Sequence, residues 1–494
     1  MADHLDVRRG TYADSVSLMQ VSRRVGDVDG VDKALVAMAT ELNLELLDGM
    51  GFDAVDAGPN DLVVAIRARD EAAVDAALAE LEAALAASRG GGAQRGFGDG
   101  PPPRTVRDAA LGAGAAAGDL ALISVPGEHA YVEALDALRA GVHVMIFSDN
   151  VPVDAEVALK REAGERGLLV MGPDAGTAIV SGVGLGFANV VQPGPVGVVA
   201  ASGTGAQHLT CLLDDAGVGV SHVLGVGGRD LKAEVGGAAT LQALRALDDD
   251  PATELIVILS KPPDETVGAA VRDAAEAATT PVVFAMLGPG QDDLTAASAA
   301  VLDALGRSAE QPRSWPAPTE RTGTYGEVRG LFAGGTLCQE AILLVADALG
   351  EVASNVTLPG ASPLTDDLDT PGHVLVDLGE DEFTLGRPHP MIDQSLRLER
   401  IAAEARRPGG RVLLLDVVLG HGAHPDPAAE LAPAIAAAIA DGDDLAVVVS
   451  LCGSAGDPQG RDRQAARLVE SGASVHLSNA RAARKAIELV GGPS

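Results

Sequence analysis

Lysine is nearly missing from this chain: five in 494 residues, at positions 33, 160, 232, 261 and 485. Basic residues number 36 against 70 acidic ones, a formal net charge of −34. Nucleic acid needs a basic face to neutralise its phosphates, so this balance excludes it as a partner. The acidity is spread along the chain rather than gathered in a tail, and reads as a solubility device. Cysteine is scarce as well. Cys211, Cys338 and Cys452 stand far apart with no CxxC pair, which indicates neither a disulfide framework nor a zinc site. No apolar run approaches the roughly eighteen residues of a membrane span, and "MADHLDVRRG" does not read as a signal peptide. A cytoplasmic protein with no membrane or nucleic-acid partner is expected. Aromatics make up only 2% while hydrophobic residues reach 47%, so the core must be built from Ala, Val and Leu.

What is present is a repeated alternation of short apolar runs and amphipathic helices. Residues 1–89 read as a small α+β unit, with strands in "LDVRRGTY", "DKALVAMAT" and "NDLVVAIRAR" and a 3.6-period helix in "DEAAVDAALAELEAALA". "SRGGGAQRGFGDGPPPR", 88–104, reads as a linker. Over 105–192, strands in "DLALISV", "VHVMIFSD" and "LLVMGPD" alternate with two helices, the pattern of a doubly wound parallel sheet. In such sheets ligands collect beyond the carboxyl ends of the strands. Those ends hold Ser124, Pro126, Asp149, Asn150, Gly172 and Pro173. No GxGxxG loop follows the first strand and no Walker A sequence occurs.

A second α/β unit, 193–306, opens with "GVVAASGTGAQHLTCLLDDAG". Here an apolar strand runs into Ser202-Gly203-Thr204-Gly205 and then a helix. Glycines permit close approach, and the bare amides of a helix start favour an anion. The turn alone admits a phosphate, a carboxylate or a plain capped turn with Thr204 as N-cap. After a Pro-rich stretch at 307–324, the third unit, 325–494, begins "RGLFAGGTLCQEAILLVADALG", repeating strand, Gly334-Gly335-Thr336, helix and glycine stop. Units two and three therefore read as pseudo-repeats, and both turns are expected at carboxyl ends of parallel strands.

This plan resembles the nucleotide-dependent acyl-CoA ligases of the succinyl-CoA synthetase kind, and more closely the FdrA family. The stretches that carry the resemblance include "LALISVPGEHA", "VMIFSDNVP", "GLLVMGPDAGTA", "ASGTGAQ", "GGRDLKAEVGG", "SKPP", "GGTL", "GRPHPMID" and "LLLDVVLGHGA", in order along nearly the whole chain. The resemblance implies a Rossmann-like CoA-binding-type domain followed by two flavodoxin-like CoA-ligase-type parallel-sheet domains. It implies coenzyme A or a nucleotide as ligand, admits Mg2+, and calls for no covalent cofactor. FdrA proteins are linked to acyl-CoA synthetase chemistry and to oxamate carbamoyltransferase in allantoin and purine breakdown, working with partner subunits. In the second activity oxalurate and phosphate give oxamate and carbamoyl phosphate. A third reading is a non-catalytic subunit that binds CoA or a nucleotide and scaffolds a complex. The signature of ordinary transcarbamoylases is missing, so a carbamoyl transferase of this type would be a convergent one.

Both chemistries make or break a carbonyl–phosphate anhydride, which calls for positioned cationic and amide groups. By the resemblance, Ser202, Gly203, Thr204, Gly205, Gly334, Gly335 and Thr336 face phosphate or carboxylate. "GVGGRDLKAEVGG" sets Gly227, Gly228 and Arg229 on a glycine-rich loop, where Arg229 can fork onto an anion and Asp230 can orient it or hold a metal. The alternative for that loop is a solvated hinge. Lys261 in "LSKPPDE" stands where the ligases carry a carboxylate that steadies a phosphorylated histidine, and would draw in an anionic substrate instead. No histidine follows the next strand in "FAMLGPGQDDLTAA". His421 in "LGHGAHPD" superficially matches the ligase turn but lies in the other module. In "GRPHPMID", two prolines hold Arg387 and His389 presented, with His389 read either as proton donor to a leaving amide nitrogen or as part of a structural turn. Lys261 and Arg229 are expected to share one anion pocket near Ser202.

Overall fold

A computed structural model describes residues 1–11, 15–90, 103–113, 119–319, 325–365, 368–385, 387–441 and 444–491. The chain packs as two units, Met1–Gly114 with Asp381–Pro388, and Ala115–Glu380 with His389–Ser494. In the first, strands Ala2–Arg8, Leu62–Ala68 and Val31–Met38 form an antiparallel sheet in that spatial order. Alternation along the central strand puts Leu62, Val64 and Ile66 on one face, against helices Ser15–Gly26 and Glu71–Gly90. Val63 and Ala65 face the other way, against Leu47 and Phe52. Leu47 belongs to a helix that the sequence reading leaves out, Glu41–Gly49, whose cap Thr40 accepts the Asn43 amide at 3.3 Å. The expected linker at 88–104 begins inside the Glu71–Gly90 helix, and its residues 91–102 lie outside the described ones.

Among the described residues the second unit shows three sheets, and the chain is of the α/β class with parallel-sheet domains. Leu120–Ile123, His143–Ile146 and Val170–Met171 form a parallel sheet. The next has the order Val282–Met286, Leu255–Ser260, Pro193–Ala200, Val220–Gly225, then the hairpin Thr177–Val180 and Val183–Gly186. That hairpin lies within 105–192 in sequence, yet Val223 pairs with Ile179 in the second sheet. The third sheet, of eight strands among the described residues, centres on Glu327–Phe332, Arg411–Val418 and Leu445–Cys452, all parallel. Short edge strands Val352–Ser354 and Ala361–Pro363 extend it. At its far edge Ser314–Trp315, from the Pro-rich stretch, pairs antiparallel with Ser474–His476; residues 320–324 of that stretch lie outside the described ones.

Two shared cores hold these sheets together. Met145 and Met171 of the first sheet pack with Val199, Leu224 and Ile258 of the second. Val198, Val223 and Leu259 pack in one core with Phe332, Leu414 and Val448 of the third. Dense aliphatic packing of this kind leaves little freedom between modules, so the loops at their strand ends are fixed in relation to one another.

Candidate functional site

Both glycine–threonine turns lie at carboxyl ends of parallel strands and open helices, Gly203–Asp215 and Gly335–Leu349. They also face each other. Ser202 Oγ and Thr336 Oγ1 are 2.5 Å apart, and Thr204 Oγ1 accepts the Thr336 amide at 3.3 Å. Ser202, not Thr204, is the N-cap of its helix, accepting from the Gly205 amide at 3.0 Å. Gly205 has no room for a side chain, because a Cβ there would stand 2.5 Å from Ser202 Oγ. Among the described residues nothing accepts from the amides of Gly203, Thr204 or Gly335. Two helix dipoles and several bare donors thus converge on one spot, an arrangement that binds anions.

Matching positions on the two helices, His208 and Glu340, hold this opposition in place. His208 Nε2 accepts the Asn479 amide at the start of the Asn479–Leu489 helix, at 3.1 Å. Glu340 accepts the Leu294 amide at the start of the Leu294–Ala304 helix, at 2.6 Å. Asn479 Nδ2 also donates to Glu340, at 2.7 Å. Each module's turn helix caps a helix of the other. Burial drives the Glu340 carboxyl up to about 7 and the His208 imidazole down to about 4.

Lys261 follows the strand adjacent to that of Ser202, with Leu259 paired to Ala200. The two residues share one sheet edge. Lys261 is exposed and makes no hydrogen bond or ion pair among the described residues. Nearby protein still desolvates its ammonium enough to hold it below the usual lysine range, against the pull of Glu380, Asp377 and Asp174. Those carboxylates come from the third and first modules, so Lys261 stands where all three meet. The hairpin at the edge of the second sheet also approaches the turn, since a Cβ on Gly203 would lie 3.3 Å from Thr177 Oγ1.

Arg229 corrects an expectation. It pairs with the buried Glu156 at 3.0 Å and donates to Val151 O at 2.7 Å. Asp230 is likewise structural rather than metal-holding: it is fully buried and accepts from Lys160 Nζ at 2.8 Å and from Thr240 Oγ1 at 2.6 Å. Lys160, buried between Glu156 and Asp230, completes a charged clasp between the first two modules. Arg229 therefore does not join Lys261 in an anion pocket. Gly227, at φ 87°, is required because a Cβ would meet Pro173 O at 2.3 Å, while Gly228 touches nothing within 4 Å. Arg387 is exposed and belongs to the Asp381–Pro388 segment of the other unit. His421 is exposed, and its backbone bridges to Ala188.

Ser124, Pro126, Asp149, Asn150, Gly172 and Pro173 do line one edge, just past the three strand ends of the first sheet. Ser148 Oγ ties two of these loops by accepting the Val125 amide at 3.1 Å. Asn150 and Gly172 have φ of 52° and 89°.

His389 is half-buried beside Gly379, with its Nε2 2.6 Å from where a Gly379 Cβ would stand. Its Nδ1 accepts the Met391 amide at 3.2 Å, which leaves Nε2 as the protonated nitrogen. Burial lowers its pKa to about 4, with Arg397 adding to the effect. Near neutrality it is a neutral imidazole able to donate through Nε2, not the imidazolium that the proton-donor reading of the sequence calls for.

One functional candidate escapes the sequence reading altogether. Asp377, the last residue of the His373–Asp377 strand, lies beneath Gly335 and is 3% exposed. Strand-end aspartates are common, and only the strand order, which sets Phe332 beside Asp377, places this one at the turn. Among the described residues no group of three or more His, Cys, Asp or Glu is arranged to hold a metal ion, and no helix is long and apolar enough to cross a membrane.

Family models agree with this architecture. Residues 1–99 match "AllF, heavy metal-associated domain" and residues 331–489 match "CoA-ligase". The YahF protein of Escherichia coli is 36% identical over 99% of both chains. The succinate–CoA ligase [ADP-forming] subunit alpha of Methanothermobacter thermautotrophicus is 29% identical over 28% of this chain and 47% of its own, so the match spans about half of that relative. Among solved structures, the dinucleotide-forming acetyl-coenzyme A synthetase 1 of Ca. Korarchaeum cryptofilum aligns with 76% of this chain and 84% of its own, at 17% identity and a TM-score of 0.30. The parallel-sheet α/β fold thus carries a CoA-ligase-type domain over residues 331–489. The chain belongs, with YahF, to the FdrA family. The heavy-metal name does not fit the residues present, since 1–99 contain no cysteine and a single histidine, His4.

Proposed function

We propose that this chain performs carbonyl–phosphate chemistry between its two opposed helix starts, as an oxamate carbamoyltransferase. In that reaction a phosphate oxygen attacks the carbamoyl carbon of oxalurate, and oxamate leaves. The observation that carries the reading is the 2.5 Å approach of Ser202 and Thr336, with bare amides on both sides and Lys261 on the same edge. A phosphate there gains charge-assisted hydrogen bonds of about 1.5–3 kcal/mol each. Coenzyme A or a nucleotide, where one is used, would take the first-module edge at Ser124, Pro126, Asp149, Asn150, Gly172 and Pro173. Partner subunits of the same pathway complete the active assembly.

An ADP-forming acyl-CoA ligase is the second reading, favoured by the match to the succinate–CoA ligase subunit. The two differ in whether phosphate passes through the protein covalently. Residues 287–297, after the Val282–Met286 strand, hold no histidine. The protein, co-purified with its partners, is expected to form carbamoyl phosphate from oxalurate and phosphate. Incubated with radiolabelled ATP, it should retain no acid-labile, base-stable phosphate. Stoichiometric label on His421 would overturn the carbamoyl reading in favour of the ligase.

A further inference from the structure

Phosphorolysis of oxalurate requires a proton to move. Hydrogenphosphate must lose its proton as its oxygen bonds to the carbamoyl carbon, and the oxamate nitrogen must gain one as the C–N bond breaks. We infer that Asp377 carries this proton, taking it from the attacking phosphate and delivering it to the leaving nitrogen. The inference rests on the carbamoyl-transfer reading above. The carboxylate is regenerated at the end, so the step balances with no further reactant.

The position of Asp377 supports the role. Its Oδ2 lies 2.5 Å from where a Gly335 Cβ would stand, directly beneath the first turn of the Gly335–Leu349 helix. A phosphate held by those amides has this oxygen as its neighbour. Only the Gly379 amide donates to the Asp377 carboxylate, to Oδ1 at 2.8 Å, so Oδ2 has no donor among the described residues. The adjacent Asp416 is different: it is occupied by Arg397 at 2.9 Å and by the amides of Ala333 and Gly334, both at 2.7 Å. That contrast separates a carboxylate that builds the turn from one available for chemistry.

The groups facing Asp377 are Glu380, Asp416 with its partner Arg397, Lys261, His389 and the buried Cys338 thiol. Burial raises the Asp377 carboxyl to about 7, with Glu380 and Asp416 adding, against the Gly379 amide and Lys261. Both protonation states are then populated at neutral pH, as a group that accepts and returns a proton requires. His389 offers its neutral Nε2–H beside the same glycine and can orient the carbonyl oxygens.

The test compares wild type, Asp377→Asn and Asp377→Glu in the co-purified complex with oxalurate and inorganic phosphate. Asp377→Asn should lower kcat at least about 100-fold, the scale of general acid–base catalysis, while KM for phosphate stays level or falls. Asp377→Glu should recover about tenfold or more of that loss. The kcat–pH profile of wild type should bend near pH 7, and the residual activity of Asp377→Asn should lack the bend. Wild-type phosphorolysis with an unchanged kcat and profile in Asp377→Asn overturns the inference alone. So does a loss in both variants that follows phosphate affinity rather than kcat. A wild-type complex that forms no carbamoyl phosphate overturns the underlying reading instead, and the proton role falls with it.

Discussion

Replacing Lys261 by Met is expected to lower kcat/KM for phosphorolysis at least tenfold without unfolding the protein, a loss of about 1.4 kcal/mol in transition-state stabilisation. The residue is exposed and has no hydrogen bond or ion pair among the described residues, so its charge, though felt by Glu380, Asp377 and Asp174, holds no element of the fold in place. Methionine keeps much of the aliphatic stem and removes only the ammonium. Lys160 shows the opposite case, buried between Glu156 and Asp230 at 2.7 and 2.8 Å. Removing that charge would leave the buried Asp230 without a cationic partner, and Glu156 with Arg229 alone, and destabilise the protein. Steady-state kinetics with a thermal melt would separate the two behaviours. Normal turnover by the Lys261→Met variant would remove Lys261 from the site.

Gly335→Ala is expected to have a still larger effect, because the added methyl must displace either the Asp377 carboxylate or the helix start. The built Cβ lies 2.5 Å from Asp377 Oδ2, and the glycine does not occupy the left-handed region, so the cost is contact rather than backbone strain. Phosphate affinity and turnover should fall together, turnover by about 100-fold or more, because the donors and the proton carrier are disturbed at once. Gly228→Ala is the control: nothing lies within 4 Å of its Cβ position and its φ is not positive, so it should leave both unchanged. Isothermal titration with inorganic phosphate, beside the activity assay, checks the pair.

Much of this site was legible in the sequence because its signals are local. The runs that become Pro193–Ala200 and Glu327–Phe332 are apolar, their turns are glycine-rich, and the following helices are long and well formed. Lys261 stood out through scarcity, and its edge follows from the parallel pairing of adjacent strands. What the sequence hid depends on partners far away in the chain. Arg229 reads as a loop cation until the Val153–Arg166 helix brings Glu156 to it across 73 residues. His208 and Glu340 read as ordinary helix residues until Asn479 joins them. The choice of sheet for the Thr177–Gly186 hairpin is likewise settled by tertiary pairing, which period-two alternation within a strand does not reveal. Glu41–Gly49 is the exception: its Thr40 cap was visible, but its nine residues hold too few turns to show a clear period.

The central claim is that the two turns form one anion site, and a crystal structure of the complex grown with inorganic phosphate tests it most directly. The phosphate should lie within hydrogen-bond distance of the amides of Gly203, Thr204 and Gly335, with Lys261 Nζ turned toward it. Phosphate found only at the first-module edge beside Ser124 and Asp149, with the Ser202 and Thr336 hydroxyls still in contact and no anion near Lys261, would contradict the account.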